Sequence, residues 1–423
     1  MRILLASDTY PPVLGGLELH VQQLGSELAR RGHQVDVATL AGAAGPQIQR
    51  DGSVTVFRLA GWSKVLGALY ADPNRPFHPT IPDPGIVAAL AAIIRDRRVE
   101  IVHAHSWILY SLLPILPSRQ TVLVATMHDY GLVCPKKTLV FRSGNLCSGP
   151  RFEKCVACAK EQYGPVRSLA LTSGLSIMRS LRGRVERYIA VSDAVAQGCS
   201  DIVRPGRPQI EIIPPFLPDA AFASASVVRP DFVPQRGDYF LFAGALTHNK
   251  GLSVLMEAWR GLVPTVPLVL AGLRRPDTPN RFPRGVIVAE NVPHADVLRA
   301  WAHCLAAIVP STWPDPHPLV AMEAMAAGRP VVASAVGGLV DIVKDGNTGF
   351  LVQPGNVREL RSALQRLLDN PALCARMGEA GRRSAGRFAK EVVVQRVEDV
   401  YHDAISARTQ RHRGTRSYEG ERK

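Results

Sequence analysis

No apolar run in this chain of 423 residues approaches the length of a membrane-spanning helix. The opening stretch MRILLASDTYPPV has one Arg followed by four apolar residues before Ser7 and Asp8, too few for a secretory leader, and predicts a first strand instead. A cytoplasmic location is the expectation. Cysteine is sparse and odd in number, seven in all, which argues against a disulfide framework. Zinc-finger Cys/His spacing and Gly/aromatic RNA-binding strands are both missing, so nucleic acid is not an expected partner. Acidic residues are outnumbered, 36 against 50 Lys and Arg, for a formal charge of +14. Two segments hold most of that excess: residues 136–187 carry 11 Lys and Arg against 3 acids, and residues 408–423 carry 6 against 2. Such segments suit an anionic substrate or an anionic membrane surface, the latter implying a peripheral position on the inner face of the plasma membrane. The second segment has almost no apolar residues and is expected to be a disordered basic tail.

The composition is globular, 46% hydrophobic and 20% charged, enough for a core in each of two or three domains. Short apolar strands alternate with amphipathic helices twice along the chain. RILLAS, QVDVATL, VTVFRLA, EIVHAHS, TVLVATMHD, YIAVSD and EIIPP make the first series, with LELHVQQLGSELARRG and GIVAALAAIIRDRR as helices between them. YFLFAGAL, PLVLAG, VIVAE, LAAIVPS, PVVAS and GFLVQP make the second. Each series predicts a parallel sheet, so the fold class is α/β with two Rossmann-like domains facing across a cleft. The expected boundaries are 1–215 for the first domain, 216–236 for a proline-rich linker and 237–390 for the second domain. A C-terminal helix over 391–407 is expected to pack back on the first domain, ahead of the tail at 408–423. A basic, cysteine-bearing insertion occupies 131–165, and SLALTSGLSIMRSLRGRVERY beyond it predicts an amphipathic helix suited to a membrane surface.

One stretch, WPDPHPLVAMEAMAAGRPVVAS, places Asp315 eight positions before Glu323. Pro316 and Pro318 forbid a helix before about residue 317, and Pro318 suits its first turn. Leu319, Val320, Met322, Met325 and Ala326 then recur at helical spacing, Gly328 supplies the stop, and RPVVAS follows as a buried strand. The amides of Leu319 and Val320 have no intrahelical partners and lie at the positive end of the helix dipole, so the mouth beside Asp315 suits an anion. Two further loops suit phosphate: Gly15 and Gly16 between the first strand and first helix, and Lys250 with Gly251 after the first strand of the second series.

Together, PPVLGGLELHVQQLGSELARRGHQVDVAT, VHAHSW, TMHDY, FAGALTHNKG, VPST and the Asp-x7-Glu pair followed by AMAAGRPVVASAVGGLVDIVKDGNTGFLVQPGN resemble glycosyltransferase family 4, in the same order and from about residue 1 to 400. The resemblance implies the GT-B fold, with a nucleotide-diphosphate sugar donor (a UDP- or GDP-sugar) bound mainly by the second domain. It implies hexosyl transfer with retention of anomeric configuration to a glycan, lipid-linked or envelope acceptor, with no cofactor and no catalytic metal. In keeping with that, the chain contains no Asp-x-Asp. Carried over residue by residue, Glu323 accepts hydrogen bonds from the ribose hydroxyls, Asp315 lies beside the donor sugar, and the Leu319 and Val320 amides cap the diphosphate. Lys250 neutralises the diphosphate, Gly15 and Gly16 approach the same phosphates, and His128 hydrogen-bonds the sugar near its anomeric carbon. His103 and His105 are expected to face the acceptor, and the loop from Glu290 to His294 the base. Two positions depart from the family: Ala245 replaces a common Arg beside the diphosphate, and the first acid is Asp315 rather than Glu. An epimerase, a phosphorylase or a non-catalytic nucleotide- or glycan-binding module are the alternatives, disfavoured by the joint presence of Lys250, Asp315, Glu323 and His128.

The insertion sets Cys134, Cys147, Cys155 and Cys158 in the pattern C-x12-C-x7-C-x2-C. Four thiolates ending in C-x2-C suit a structural zinc site or an iron–sulfur cluster, while the irregular spacing equally suits reduced thiols.

Overall fold

Val, Ile, Leu and Ala dominate the short strands, and the central ones are buried along almost their whole length, as a parallel sheet covered on both faces requires. The computed structural model describes residues 1–13, 15–42, 45–62, 77–116, 118, 120–142, 144–202, 210–222, 228–262 and 266–420. They group into two units, residues 1–213 with 394–423, and residues 214–393. Among the described residues no helix is long and apolar enough to cross a membrane.

The first unit holds β1 (Arg2–Ser7), β2 (Gln34–Leu40), β3 (Gln47–Asp51), β4 (Val54–Leu59), β5 (Ile101–His105), β6 (Val122–Met127), a small hairpin of β7 (Val140–Phe141) and β8 (Asn145–Leu146), β9 (Arg187–Ala190) and β10 (Ile210–Ile212). Its sheet runs β10-β9-β6-β5-β1-β2-β4-β3, parallel except for the antiparallel edge strand β3. The chain winds outward in both directions from β1, so the carboxyl ends of β1 and β5 form a switch point, the usual place for a ligand in such a sheet. β3, sequence QIQRD, is polar and mostly exposed, which is why an apolar-run reading passes over it.

The helix Phe152–Ile177 is broken at Gly164 (φ 75°, ψ 172°), just ahead of Pro165, which has no N–H to continue the ladder. The predicted helix SLALTSGLSIMRSLRGRVERY is therefore corrected. Its helical part ends at Ile177, Met178–Arg184 is a 3₁₀ segment, and β9 begins at Arg187. The C-terminal helix Lys390–Gly420 belongs to the first unit from Val394 onward and buries Val394, Val397, Tyr401 and Ala404 there. Glu398 on that helix accepts from Arg31 Nη1 at 2.6 Å and pairs with His33 at 2.7 Å. The expected disordered tail is corrected as well: the helix runs on to Gly420, and Arg408 meets Glu186. The Ala and Arg residues of YHDAISARTQRHR favour helix, and no Pro interrupts it.

The second unit has six parallel strands, β11 (Phe240–Ala243), β12 (Leu268–Ala271), β13 (Val286–Ala289), β14 (Ala306–Val309), β15 (Val331–Ser334) and β16 (Gly349–Val352), ordered β13-β12-β11-β14-β15-β16. Alternate residues feed two cores: Leu241, Val269, Ala307 and Val331 on one face, Phe240, Leu268, Ile308 and Val332 on the other. The switch point lies between β11 and β14. The expected linker is built into this unit, because its apolar residues are buried between its prolines: Phe216, Leu217, Ala221 and Val233 are core, and Leu217 pairs with Ala389. The division accordingly falls at 213/214 and 393/394 rather than at 215 and 390. Residues 223–227 of that stretch and 421–423 of the tail lie outside the described residues.

Candidate functional site

In the second unit the turn after β11 leads into the helix Leu252–Arg260 through Gly251, which is left-handed (φ 79°, ψ 17°). A Cβ there would lie 1.8 Å from the carbonyl oxygen of Pro310, so only glycine lets this turn seat against the end of β14. Lys250 is thereby brought to the switch point, where its ammonium donates to Asp315 and lies 5.6 Å from the Trp313 ring centroid. Asp315 is 6% exposed and rests on the Gly337–Gly338 pair. Gly338 N–H donates to the Asp315 carbonyl at 2.8 Å, and a Cβ on Gly337 (φ 59°) would lie 2.3 Å from that same oxygen. A carboxylate this buried is tolerable because it has a cationic partner.

Four residues later the helix Leu319–Ala326 starts from Pro318, as predicted, with the Leu319 and Val320 amides in its open first turn. The helix is buried from Ala321 onward, including Glu323 at 2% exposed. Glu323 Oε1 pairs with His294 Nε2 at 2.8 Å, and Oε2 accepts from Trp301 Nε1 at 3.2 Å. The bond to Glu323 raises the His294 pKa against the opposing effect of burial. A carboxylate has about four lone-pair directions, so two acceptor positions remain for vicinal hydroxyls. Neither His294 nor Trp301 is evident from sequence as a partner of the acid. The loop expected to face the base thus ends in a residue held on Glu323, while its Glu290 accepts from Arg274 Nε at 2.8 Å. The structure brings Lys250 and Asp315 together, and Glu323 has its own partners.

In the first unit, Gly15 is extended and the helix Gly16–Arg30 begins immediately after it, so the first-turn amides follow the end of β1 and its loop. Glu18 in that turn is buried and accepts from Thr9 Oγ1 at 2.7 Å. His128 follows β6, with Nε2 2.8 Å from Nδ1 of His105. His105 Nε2 is buried with no partner, which favours a lone pair there, Nδ1–H donating to His128, and hence an N–H on Nδ1 of His128. Burial holds both rings well below the usual histidine pKa and lowers His103 to about 3. The expectation that His103 faces an acceptor is corrected: it is 1% exposed, with its nitrogens on Tyr401 Oη at 2.7 Å and Thr126 Oγ1 at 2.6 Å. His105, fully buried, supports His128.

Of the four insertion cysteines, Cys134, Cys147 and Cys155 are close enough to act electrostatically on one another. Burial raises the Cys134 pKa, partly offset by the backbone of Leu139, Thr138 and Lys136, and Cys147 Sγ lies 3.5 Å from the Gly149 carbonyl. Cys158, one turn beyond Cys155, points into the hairpin, 3.5 Å from the Arg142 backbone nitrogen, 3.5 Å from the Lys136 ammonium and 3.7 Å from the Val140 carbonyl. Among the described residues no group of three or more His, Cys, Asp or Glu side chains is placed to hold a metal ion, and all seven cysteines are free.

Two family models divide the chain between them. Glycosyltransferase Family 4 matches residues 14–220, and Glycosyl transferases group 1 matches residues 229–384. The chain belongs to glycosyltransferase family 4. This family 4 enzyme is 28% identical to a glycogen synthase of Mycobacterium tuberculosis strain H37Rv, over 95% of its own length and 94% of the relative's. It is 29% identical to a D-inositol 3-phosphate glycosyltransferase of Acidothermus cellulolyticus, over 93% and 87%. Among solved structures it resembles sucrose-phosphate synthase from Thermosynechococcus elongatus, with a TM-score of 0.72 at 21% identity, covering 96% of this chain and all of that one. It also resembles Anabaena HepE in complex with UDP-glucose, with a TM-score of 0.67 at 16% identity, covering 95% of this chain and 100% of that one. The glycosyltransferase therefore has the GT-B fold, built from two parallel-sheet α/β domains.

Proposed function

We propose that this glycosyltransferase transfers a hexose, with retention, from a UDP-sugar to a glycan or lipid-linked acceptor without a divalent metal. The reading rests most on one observation: a buried acid, an open helix N-terminus and a second buried acid lie along the single stretch around Leu319–Ala326, and Lys250 from the turn after β11 pairs with the first acid. Negative charge grows on the diphosphate as its bond to the sugar breaks. The Lys250 ammonium and the Leu319 and Val320 amides are fixed donors for that charge, so their benefit increases toward the transition state. Glu323 supplies a charged acceptor for the ribose hydroxyls, and Asp315 acts at the sugar, while the neutral His128 is assigned to a sugar hydroxyl. UDP is preferred over GDP as the donor nucleotide because Anabaena HepE, of like fold, was solved with UDP and with UDP-glucose. A peripheral site on the inner face of an anionic membrane takes support from the second half of the broken helix, where Val166, Leu169 and Ile177 stand 75%, 50% and 67% exposed and which lies within the basic segment 136–187. Thermal unfolding with UDP, GDP, ADP and dTDP tests the donor assignment, since a ligand of the folded state raises the melting point. UDP is expected to give the largest rise, and no rise with any of the four contradicts the reading.

A further inference from the structure

We propose that the first unit contains a separate binding pocket for a phosphate ester, formed where the two halves of the broken helix Phe152–Ile177 and the 3₁₀ segment Met178–Arg184 come together. The break at Gly164 turns the chain, so that Phe152 from one half and Thr172 from the other line the same cavity of about 220 Å³. None of its lining residues belongs to the sets built around His128, Lys250 or Glu323.

The polar groups in this cavity are poorly matched within the protein. Arg182 is 4% exposed, lies against the Tyr110 phenol, donates through Nη2 to the Leu175 carbonyl at 2.8 Å, and has no partner at Nε. Among the described residues no carboxylate pairs with it. The Thr172 hydroxyl, on a residue 3% exposed, also lacks a partner. A buried guanidinium without a carboxylate partner is a costly arrangement for a fold to keep, and it lines the same cavity as the unpaired Thr172 hydroxyl. Arg151 and Arg179 stand exposed on the same lining, and the sole acid there, Asp201, meets Arg179 Nη2 at 3.2 Å. Three guanidiniums therefore face one carboxylate. Planar guanidinium donors match the geometry of phosphate oxygens, whereas an apolar ligand would leave them unpaired. Phe152, 47% exposed, supplies an apolar wall for the ester arm, and that arm is either a small soluble group or the glycerol of a lipid head group.

The test is calorimetric titration of glycerol 3-phosphate into the full-length Lys250→Ala variant, where the donor-side ammonium is absent. Saturable binding is expected, weakened about tenfold by Arg179→Ala, by Thr172→Val and by Arg182→Gln, each of which removes a donor to a charged oxygen. Arg179 is exposed and Thr172→Val conserves shape, so these two variants carry the test if Arg182→Gln fails to fold. A second arm sediments the same proteins with phosphatidylcholine vesicles with and without phosphatidic acid. Pelleting that needs phosphatidic acid and falls in Arg179→Ala identifies a lipid head group, and binding of the free ester alone identifies a soluble one. Absence of saturable ester binding, or affinity unchanged by both Arg179→Ala and Thr172→Val, overturns the proposal.

Discussion

Histidine is the residue on which this fold depends most sharply with pH. Burial lowers His103 to about 3, His20 to about 4 and His317 to about 3, and pushes His78, His105 and His128 down as well. His294 shifts upward, through its bond to Glu323. The unfolded chain takes up protons near pH 6.5 that the native state refuses, so stability from the lowered groups is full above 6.5 and lost as pH falls toward their folded values. For the fully buried His78, His103 and His105 the loss is about 1.4 kcal/mol each per pH unit in that window. The His294 pair has the opposite sign, strongest below 6.5 and lost as pH rises through its raised value, but it is one group against six. The thermal midpoint is expected to fall by at least ~5 °C between pH 7 and pH 5, and a flat or rising midpoint would contradict this account. At the same scale, the acid pair and Lys250 are legible in the sequence because proline, helix spacing and the adjacent strand surround them. The donors to Glu323 are not, since His294 and Trp301 lie 29 and 22 positions away and meet it only through the packing of neighbouring elements. His105 misleads for the same reason: its place at a strand end suggests access, whereas the sheet buries it beneath His128.

Among the elements, the turn at Gly251 is the one whose geometry most directly sets chemistry. An added Cβ would strike the Pro310 carbonyl in a backbone region that side chains avoid, so Gly251→Ala must displace either the turn or the end of β14. Loss of about 1–3 kcal/mol in denaturant unfolding is expected, together with weaker donor binding because Lys250 is the adjacent residue. Wild-type stability in that variant would show that the tight turn is not what fixes Lys250. Strands and the helix Leu319–Ala326 are readable from sequence because apolar runs bounded by Gly and Pro are strong local signals. The broken helix is harder: Leu171 and Leu175 lie on its inner face and Leu169 and Ile177 on its outer one, so apolar residues alone do not give the rotation or the end.

For the whole molecule, two α/β units follow from two series of strands, and the family follows from motifs that recur in order. Their borders were the less legible part. Prolines between 214 and 234 suggest a linker, yet the apolar residues between them bury into the second unit. In the proposed function the second unit grips a nucleoside diphosphate through Glu323 and Lys250 while Asp315 serves the sugar. Calorimetry of UDP binding to the wild type, Glu323→Gln and Asp315→Asn, paired with turnover of the UDP-sugar, tests it most directly. Glu323→Gln is expected to weaken UDP about tenfold or more, because a charged acceptor to two hydroxyls becomes neutral, and to lower turnover with it. Asp315→Asn is expected to leave UDP affinity unchanged or tighter, since it releases Lys250 from its carboxylate, while turnover falls sharply. Wild-type UDP affinity in Glu323→Gln together with full turnover in Asp315→Asn would contradict the assignment of both acids.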